Sequence, residues 1–184
     1  MKVIQNHIRG LLTLEPTVFE DARGYFLESF NKKLFYELTG VDVDFVQDNE
    51  SMSNKGVLRG LHFQLPPYAQ DKLVRVVKGS VIDVAVDLRQ GSPTFGQYAK
   101  VLLSEKNKRQ FFVPKGFAHG FLVLEDETIF SYKCSEFYNR DSERSLKWND
   151  PSVGIEWEVD HPVLSTKDKN TVTTLNDFST IFSD

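Results

Sequence analysis

The feature of this sequence that most restricts its fold is a regular succession of short apolar runs separated by turn signals. The turn signals are DARG at 21–24, SNKG at 53–56, KGS at 78–80, RQGSP at 89–93, PKG at 114–116 and EDE at 125–127. Short runs bounded in this way are typical of antiparallel sandwiches and barrels. The sequence therefore predicts an all-β jelly-roll barrel or sandwich, whose interior can enclose a ligand.

Two pairs of neighbouring runs have the pattern of β-hairpins. In the first pair, Leu73 to Val77 and Val81 to Leu88 flank the Lys78-Gly79-Ser80 turn. The second pair runs from His119 to Leu124 and from Thr128 to Cys134. We expect the two strands of each pair to be hydrogen-bonded neighbours.

Only a few short peripheral helices are expected. In NKKLFYELTG, Asn31 is a candidate N-cap, the apolar residues at 34, 35 and 38 lie on one helical face, and Gly40 is a stop signal. A second short helix could start at Ser165.

Length and composition favour a single cytoplasmic domain over residues 1–184, with an unassigned tail at about 171–184. A net charge of −4 argues against a nucleic-acid partner. Cys134 is the single cysteine, which fits a reducing compartment. The chain has no run of 18 apolar residues, and MKVIQNHIRG lacks the apolar core of a signal peptide, so we expect no membrane association.

Two stretches carry histidines at positions that suggest chemistry. FVPKGFAHGF has the P-x-G-x-x-H pattern, ending at His119, of the second cupin motif. The first cupin motif normally has two histidines one residue apart, but LRGLHFQ has His62 followed by Gln64. One histidine from each motif is too few for a typical transition-metal centre, so we predict that no metal is bound.

Several polar residues share strand faces with apolar ones. Lys72 alternates with Val74 and Val76, which places a lysine on an apolar face unless it is simply a solvated strand end. Arg59 has the opposite parity to His62, so a bulge or a place at the barrel mouth is needed to bring both to one site. A histidine such as His62, between apolar neighbours, is more often a hydrogen-bonded core residue than a catalytic one.

The chain resembles the dTDP-4-dehydrorhamnose 3,5-epimerase family of the cupin superfamily from about Val3 to Asn170. The motifs that carry the resemblance are LRGLHFQ, VVKGSVIDVAVDLRQGSPTFGQ, NKRQFFVPKGFAHGF, YKC, WNDPSVGIEW and LSTKD, in that order. The tail TVTTLNDFSTIFSD resembles nothing assignable. The resemblance implies a cupin-like jelly roll and a cofactor-independent isomerase of dTDP-L-rhamnose biosynthesis, which serves cell-surface polysaccharides such as the O-antigen.

The resemblance also implies a set of catalytic residues. His62 would be the general base, with Asp168 as its carboxylate partner. Tyr132 would be the acid on the opposite face of the sugar, and Lys72 would lie near the keto oxygen. Histidine suits the first role because its pKa lies near neutral pH.

Further positions match substrate-binding residues of the family. By resemblance, Arg59 and His119 would bind the diphosphate or the sugar hydroxyls. Gln47 and Asn49 would line the pocket, and Tyr138 would lie near the nucleotide. In a domain-exchanged homodimer, the residues that reach into the partner's site would be Arg23, Phe26 and Glu28. The expected partners are thus a dTDP-4-keto-6-deoxyhexose and a second copy of the chain.

Other interpretations remain open. Ser165 to Asp168 has the spacing of a helix capping box, Tyr132 could be a core aromatic and Tyr138 could simply pack on the surface. The rival functions are an epimerase that inverts one centre only, a metal-dependent cupin oxygenase and a non-catalytic sugar-binding jelly roll.

Overall fold

The computed structural model describes residues 1–178 and 182–183, which form two antiparallel sheets around a shared core. From edge to edge, the six-stranded sheet contains β1 (Lys2–Gln5), β2 (Leu12–Glu15), β11 (Gln110–Val113), β7 (Lys72–Lys78), β13 (Thr128–Cys134) and β5 (Gln47–Ser53). The five-stranded sheet contains β10 (Tyr98–Ser104), β8 (Ser80–Asp87), β12 (Phe117–Val123), β6 (Leu58–Gln64) and β14 (Glu143–Ser145). Two small pairs are β3 (Val18–Asp21) with β4 (Gly24–Leu27) and β9 (Arg89–Gln90) with β15 (Phe182–Ser183). The predicted all-β, cupin-like jelly roll is confirmed.

Both predicted hairpins are wrong, because the two strands of each pair lie in different sheets. In the Leu73–Leu88 segment, β7 bonds to β11 and β13, whereas β8 bonds to β10 and β12. In the His119–Cys134 segment, β12 belongs to the five-stranded sheet and β13 to the six-stranded sheet. The intervening turns carry the chain across the core, so sequence neighbours become partners in packing and not in hydrogen bonding.

Both predicted helices are present at the expected positions. Helix α1 (Lys32–Thr39) is capped by Asn31, whose Oδ1 accepts the Leu34 N–H at 3.1 Å, and it ends at Gly40 in a left-handed conformation. Helix α2 (Thr166–Asn170) is capped by Ser165. A 3₁₀ helix, η1, covers Leu175–Phe178 in the tail. None of the helices in the described part of the chain is long and apolar enough to cross a membrane.

The five-stranded sheet buries both of its faces. Val81 and Ala85 point into the core between the sheets, while Val84 and Val86 point outward into a second apolar cluster. Trp157 and residues of the C-terminal tail cover that outer cluster. Because burying one such side chain contributes about 1.5–3 kcal/mol, both layers stabilise the sheet that holds His62.

The β3–β4 hairpin carries exposed aromatic side chains. Phe19, Tyr25 and Phe26 are 62%, 57% and 69% exposed. Among the described residues, the two strands pair only with each other. An isolated two-stranded hairpin is at best marginally stable in water, so this one is expected to pack against another surface.

Candidate active site

Strand β6 contains a β-bulge that brings Arg59 and His62 to the same side of the sheet. The register between β12 and β6 shifts after the pair formed by His119 and His62, so that β6 holds one extra residue. The strands approach so closely here that a Cβ on Gly60, whose φ is +131°, would lie 2.6 Å from the Cα of Gly120. Of the two arrangements predicted for Arg59, a bulge or a place at the barrel mouth, the bulge is present.

A cavity of about 400 Å³ opens between the two sheets and is within the usual size range of ligand pockets. Six of the predicted residues line it, namely Arg59, His62, Lys72, His119, Tyr132 and Asp168. Two histidines come from the five-stranded sheet, whereas Lys72 and Tyr132 come from the six-stranded sheet. A ligand in the cavity would therefore have titratable groups on both sides.

His62 and Asp168 form a hydrogen-bonded pair at one wall of the cavity. His62 Nε2 lies 2.6 Å from Asp168 Oδ1, and Asp168 is only 3% exposed. Its second oxygen accepts the Ser165 hydroxyl at 2.9 Å, while the Asp168 N–H donates to Ser165 Oγ at 3.1 Å. Asp168 therefore takes part in the helix cap and is also hydrogen-bonded to His62.

Burial alone would raise the pKa of Asp168. The hydrogen bonds from His62, Ser165 and the Gly60 backbone N–H outweigh it and leave the pKa of Asp168 below its ordinary value. The ionised carboxylate favours the tautomer in which His62 Nε2 carries the proton, which leaves the lone pair on Nδ1.

Lys72 and Tyr132 project into the cavity from the other sheet. Burial lowers the pKa of Lys72, an effect opposed by Cys134, Asp83 and Glu143. Burial also raises the pKa of Tyr132, so its phenol keeps its proton well above neutral pH. Within the described residues, Lys72 Nζ makes no hydrogen bond or ion pair, and its ammonium is therefore open to a ligand.

His119 has its own carboxylate partner, which the sequence analysis missed. Its Nε2 lies 2.8 Å and 3.0 Å from the two oxygens of Asp83, which is fully buried. Burial raises the pKa of Asp83, while His119 and Lys72 oppose this shift. The signal for Asp83 was present in VIDVAV, where an acid interrupts an apolar strand.

A smaller cavity of about 170 Å³ adjoins the first and shares His62, Lys72 and Tyr132 with it. It contains three further predicted residues, Gln47, Asn49 and Tyr138. Gln47 Nε2 donates to Asn49 Oδ1 at 3.0 Å, and Gln47 Oε1 accepts the Tyr138 N–H at 3.0 Å. The two cavities share part of their lining, and most of the residues that line the smaller one are polar.

Glu143 is a second residue that the sequence analysis missed. It lines the smaller cavity, accepts the Tyr138 hydroxyl at 3.0 Å and forms an ion pair with Lys167 at 2.7 Å. Burial would raise the pKa of Glu143, but the hydrogen bonds from Lys167 and Tyr138 outweigh it and lower that pKa. No motif pattern marked Glu143, because it comes from the short strand β14.

Arg23, Phe26 and Glu28 are not brought to these cavities within one chain. Arg23 forms an exposed ion pair with Asp21 at 2.6 Å, and Glu28 accepts a hydrogen bond from Asn31. Phe26 lies on the exposed β3–β4 hairpin. Their predicted role therefore depends on a second copy of the chain.

The described residues contain no group of three or more His, Cys, Asp or Glu side chains arranged to hold a metal ion. Gln64, at the position of a missing cupin ligand, uses its amide in the protein. Its Nε2 donates to the Tyr68 carbonyl at 2.6 Å, and its Oε1 accepts the Asn139 N–H at 2.7 Å. Both polar atoms of the Gln64 side chain are thus already hydrogen-bonded to backbone groups of the protein.

Comparison with known proteins gives a consistent result over nearly the whole chain. The family model described as dTDP-4-dehydrorhamnose 3,5-epimerase matches residues 5–177. The dTDP-4-dehydrorhamnose 3,5-epimerase of Shigella flexneri is 58% identical over 170 residues, which cover 92% of this chain and 94% of the relative.

Solved structures with the same architecture include epimerases with bound sugar nucleotides. The dTDP-6-deoxy-D-glucose-3,5-epimerase of Legionella pneumophila, in complex with dTDP-4-keto-L-rhamnose, has a TM-score of 0.94 at 48% identity and covers 100% of this chain and 98% of its own. A 3'-monoepimerase of Streptomyces bikiniensis, in complex with dTDP-quinovose, has a TM-score of 0.88 at 35% identity and covers 94% of this chain and 87% of its own.

Proposed function

Because the chain belongs to the dTDP-4-dehydrorhamnose 3,5-epimerase family, we propose that it inverts carbons 3 and 5 of dTDP-4-dehydro-6-deoxy-D-glucose. The product is dTDP-4-dehydro-L-rhamnose, an intermediate of dTDP-L-rhamnose biosynthesis. The observation that carries the proposal is the pair formed by His62 and Asp168, which faces Tyr132 and Lys72 across one cavity.

In the first step, His62 removes a proton from a carbon next to the ketone. Such hydrogens are acidic because the resulting charge is delocalised onto the ketone oxygen as an enolate. Asp168 holds the imidazole so that Nδ1 is the base, and it stabilises the imidazolium that forms. No cofactor is needed, because no electrons leave the substrate.

Lys72 and Tyr132 complete the reaction in this proposal. The Lys72 ammonium donates to the enolate oxygen, a type of interaction whose loss typically costs about 3 kcal/mol in barrier. Tyr132, protonated at neutral pH, delivers a proton to the carbon from the face opposite His62. Protonation from that face inverts the centre.

The remaining predicted residues bind the nucleotide part of the substrate. Arg59, whose guanidinium is held by Ser53 Oγ at 3.0 and 3.1 Å, binds the diphosphate with help from His119. Gln47 and Asn49 line the pocket, and Tyr138 lies near the nucleotide.

The active enzyme in this proposal is a cytoplasmic homodimer. The exposed aromatic residues of the β3–β4 hairpin support a partner surface, because such a patch is unfavourable in water. Arg23, Phe26 and Glu28 enter the partner's site from this hairpin and its continuation. The single cysteine, Cys134, supports a reducing compartment.

One alternative keeps the same chemistry but inverts a single centre. The fold shared with the 3'-monoepimerase of Streptomyces bikiniensis supports it. The higher identity to the 3,5-epimerase of Shigella flexneri favours inversion of both centres. Analysis of the product by NMR separates the two.

The proposal is tested by incubating the protein with the 4-keto sugar nucleotide in heavy water. We expect deuterium at carbons 3 and 5 of an L-configured product, with activity unchanged after chelation. The His62→Ala variant should lose exchange at both carbons by about a hundredfold or more. Exchange at the wild-type rate in His62→Ala, or activity lost with a stoichiometric metal, contradicts the proposal.

A further inference from the structure

Three described residues of the C-terminal tail, Leu175, Phe178 and Phe182, pack on the outer face of the five-stranded sheet. Leu175, Phe178 and Phe182 are 7%, 4% and 8% exposed. The Phe178 ring packs edge-on against Phe63, with 5.0 Å between ring centres and an angle of 82°. The Phe182 ring lies 6.0 Å from the same Phe63. We call Thr173–Phe178 together with Phe182 the clasp.

A buried carboxylate in the WNDPSVGIEW motif anchors the clasp. Asp150, which is 2% exposed, accepts the Leu175 N–H at 2.6 Å and the Ser152 hydroxyl at 2.6 Å. The backbone N–H of Lys147 donates to the Thr173 carbonyl at 2.8 Å. The motif is thus hydrogen-bonded to the clasp.

The VDLRQGSPTFGQ motif makes an apolar contact with the clasp. Gly96 has a φ of +75°, and a Cβ built on it would lie 2.6 Å from Leu175 Cδ2. The motif therefore leaves room for the Leu175 side chain. Two motifs without a role in the proposed chemistry meet at the clasp.

The clasp touches the His62 strand from behind. Successive side chains of a strand point to opposite faces, so Phe63 lies under the clasp while His62 faces the cavity. The clasp therefore packs against the residue that follows His62 in β6.

The clasp also follows the helix that carries Asp168. Helix α2 has the sequence TKDKN, and Asp168 is its only buried residue among those described. A helix this short without an apolar face is not held by its own packing. Its position depends on the parallel bridge between Val57 and Val163 before it, on the clasp after it, and on bonds from its own residues, namely the Lys167–Glu143 ion pair and the Gly60 N–H bond to Asp168.

We propose that the clasp is a positioning element that holds Asp168 at hydrogen-bond distance from His62. Leu175, Phe178 and Asp150 act through the dyad and do not touch substrate. This inference rests on the proposed function for its kinetic consequence, but the geometric part can be measured without substrate.

The kinetic test compares Phe178→Ala in the wild-type and Asp168→Asn backgrounds. We expect kcat to fall about tenfold or more with little change in KM, because small displacements of reacting groups are costly. In the Asp168→Asn background, Phe178→Ala should cause no further loss, since the interaction through which it acts is already gone.

Phe35→Ala is the matched control. Phe35 is 2% exposed and packs against Phe112 at 5.3 Å on the outer face of the other sheet. It should lower the melting temperature as Phe178→Ala does, but leave kcat at 25 °C unchanged. Asp150→Asn, which preserves shape, is a second clasp variant and should repeat the pattern if Phe178→Ala folds poorly.

The test without substrate follows the proton shared by His62 and Asp168 by ¹H NMR. The resonance is assigned by its loss in Asp168→Asn, and we expect it to broaden or vanish in Phe178→Ala and Asp150→Asn but persist in Phe35→Ala. A persistent resonance, a wild-type kcat, or losses that multiply in the Asp168→Asn background overturn the inference. Failure of the wild type to exchange deuterium refutes the proposed function instead, and the NMR result then decides the geometry alone.

Discussion

His62 Nε2 lies 2.6 Å from Asp168 Oδ1, although the two residues are 106 positions apart in the sequence. The pair joins a central strand of one sheet to a short helix near the C-terminus. The same carboxylate completes the cap of that helix through Ser165. Substitutions at Asp168 therefore affect both catalysis and stability, and the two effects separate by measurement.

The Asp168→Asn variant should lose kcat by about a hundredfold or more. An amide that donates to Nε2 selects the tautomer with the proton on Nδ1, which removes the base from the substrate side. Steady-state kinetics on purified, folded variants measure this loss. Asp126→Asn is the control and should keep wild-type rates, because the Asp126 carboxylate accepts the Lys55 N–H and lines neither cavity. An active Asp168→Asn enzyme contradicts the role of the dyad.

The stability contribution of Asp168 should depend on pH in the acidic range. Its folded-state pKa is lowered, so the contribution is present above the unfolded pKa of about 3.9 and is lost as pH falls through the folded pKa. The difference in free energy of unfolding between wild type and Asp168→Asn should thus shrink below about pH 4. Urea denaturation measures it, and Thr39→Ala, which loses hydrogen bonds to the Phe35 carbonyl and from the Val41 N–H but no titratable partner, should show a deficit independent of pH. A wild-type advantage that grows toward low pH argues against this sign.

Tyr132→Phe should separate exchange from inversion. His62 and Lys72 remain, so deprotonation continues, but delivery from the opposite face fails. We expect deuterium uptake with retained configuration, most clearly at carbon 5, and little L-sugar. Tyr98→Phe, at a distance from both cavities, is the control. Normal inversion of carbon 5 by Tyr132→Phe means that water or another residue is the acid.

Lys72 should set the alkaline limit of activity. Burial lowers the pKa of Lys72, so its ammonium is lost at a lower pH than that of an exposed lysine, near 10.4. Burial raises the pKa of Tyr132, which moves its own deprotonation out of this range. The kcat/KM of wild type should therefore decline with rising pH, whereas Lys72→Arg, whose guanidinium stays protonated throughout this range, should be slower but lack this decline. An identical decline in both enzymes assigns the limit to another group.

Mixed subunits should test the shared site. If the β3–β4 hairpin crosses to the partner, a heterodimer of His62→Ala and Arg23→Ala chains keeps one site with both residues intact. Random exchange of equal amounts makes about half of the dimers heterodimers with one intact site each, so the mixture should regain about a quarter of the wild-type activity. The control is a single chain carrying both substitutions, which should give no rescue with either variant. No rescue despite demonstrated subunit exchange means that the sites are not shared.

Local patterns predicted the elements of this fold better than their pairing. The caps at Asn31 and Ser165 were readable because capping depends on residues three or four positions apart. Strand partners were not readable, because the turn at Gly79 gives no sign of whether the chain doubles back within a sheet or crosses to the other. Both hairpin predictions failed for this reason.

Local patterns likewise predicted some residues of the candidate site and not others. Residue parity placed Lys72 on an apolar face and identified the need for a bulge beside Arg59, and both features are present. Asp83 and Glu143 were missed, because their importance depends on what lies across the cavity and not on their neighbours in sequence. Only the resemblance to a known family linked Asp168 to His62.

The order of the strands bears on how the chain is made. β2 pairs with β11, β5 with β13 and β6 with β14, so each sheet needs strands from distant parts of the sequence. Most of the chain must therefore leave the ribosome before either sheet can close. Until then, the backbone N–H and C=O groups at the edges of the early strands are unpaired. A chain with this topology folds slowly for its size, because the entropy lost in closing long loops comes before the contacts that stabilise them. We therefore expect the nascent chain to depend on chaperones during synthesis, because His62 leaves the ribosome long before Asp168 and the strands that complete the site.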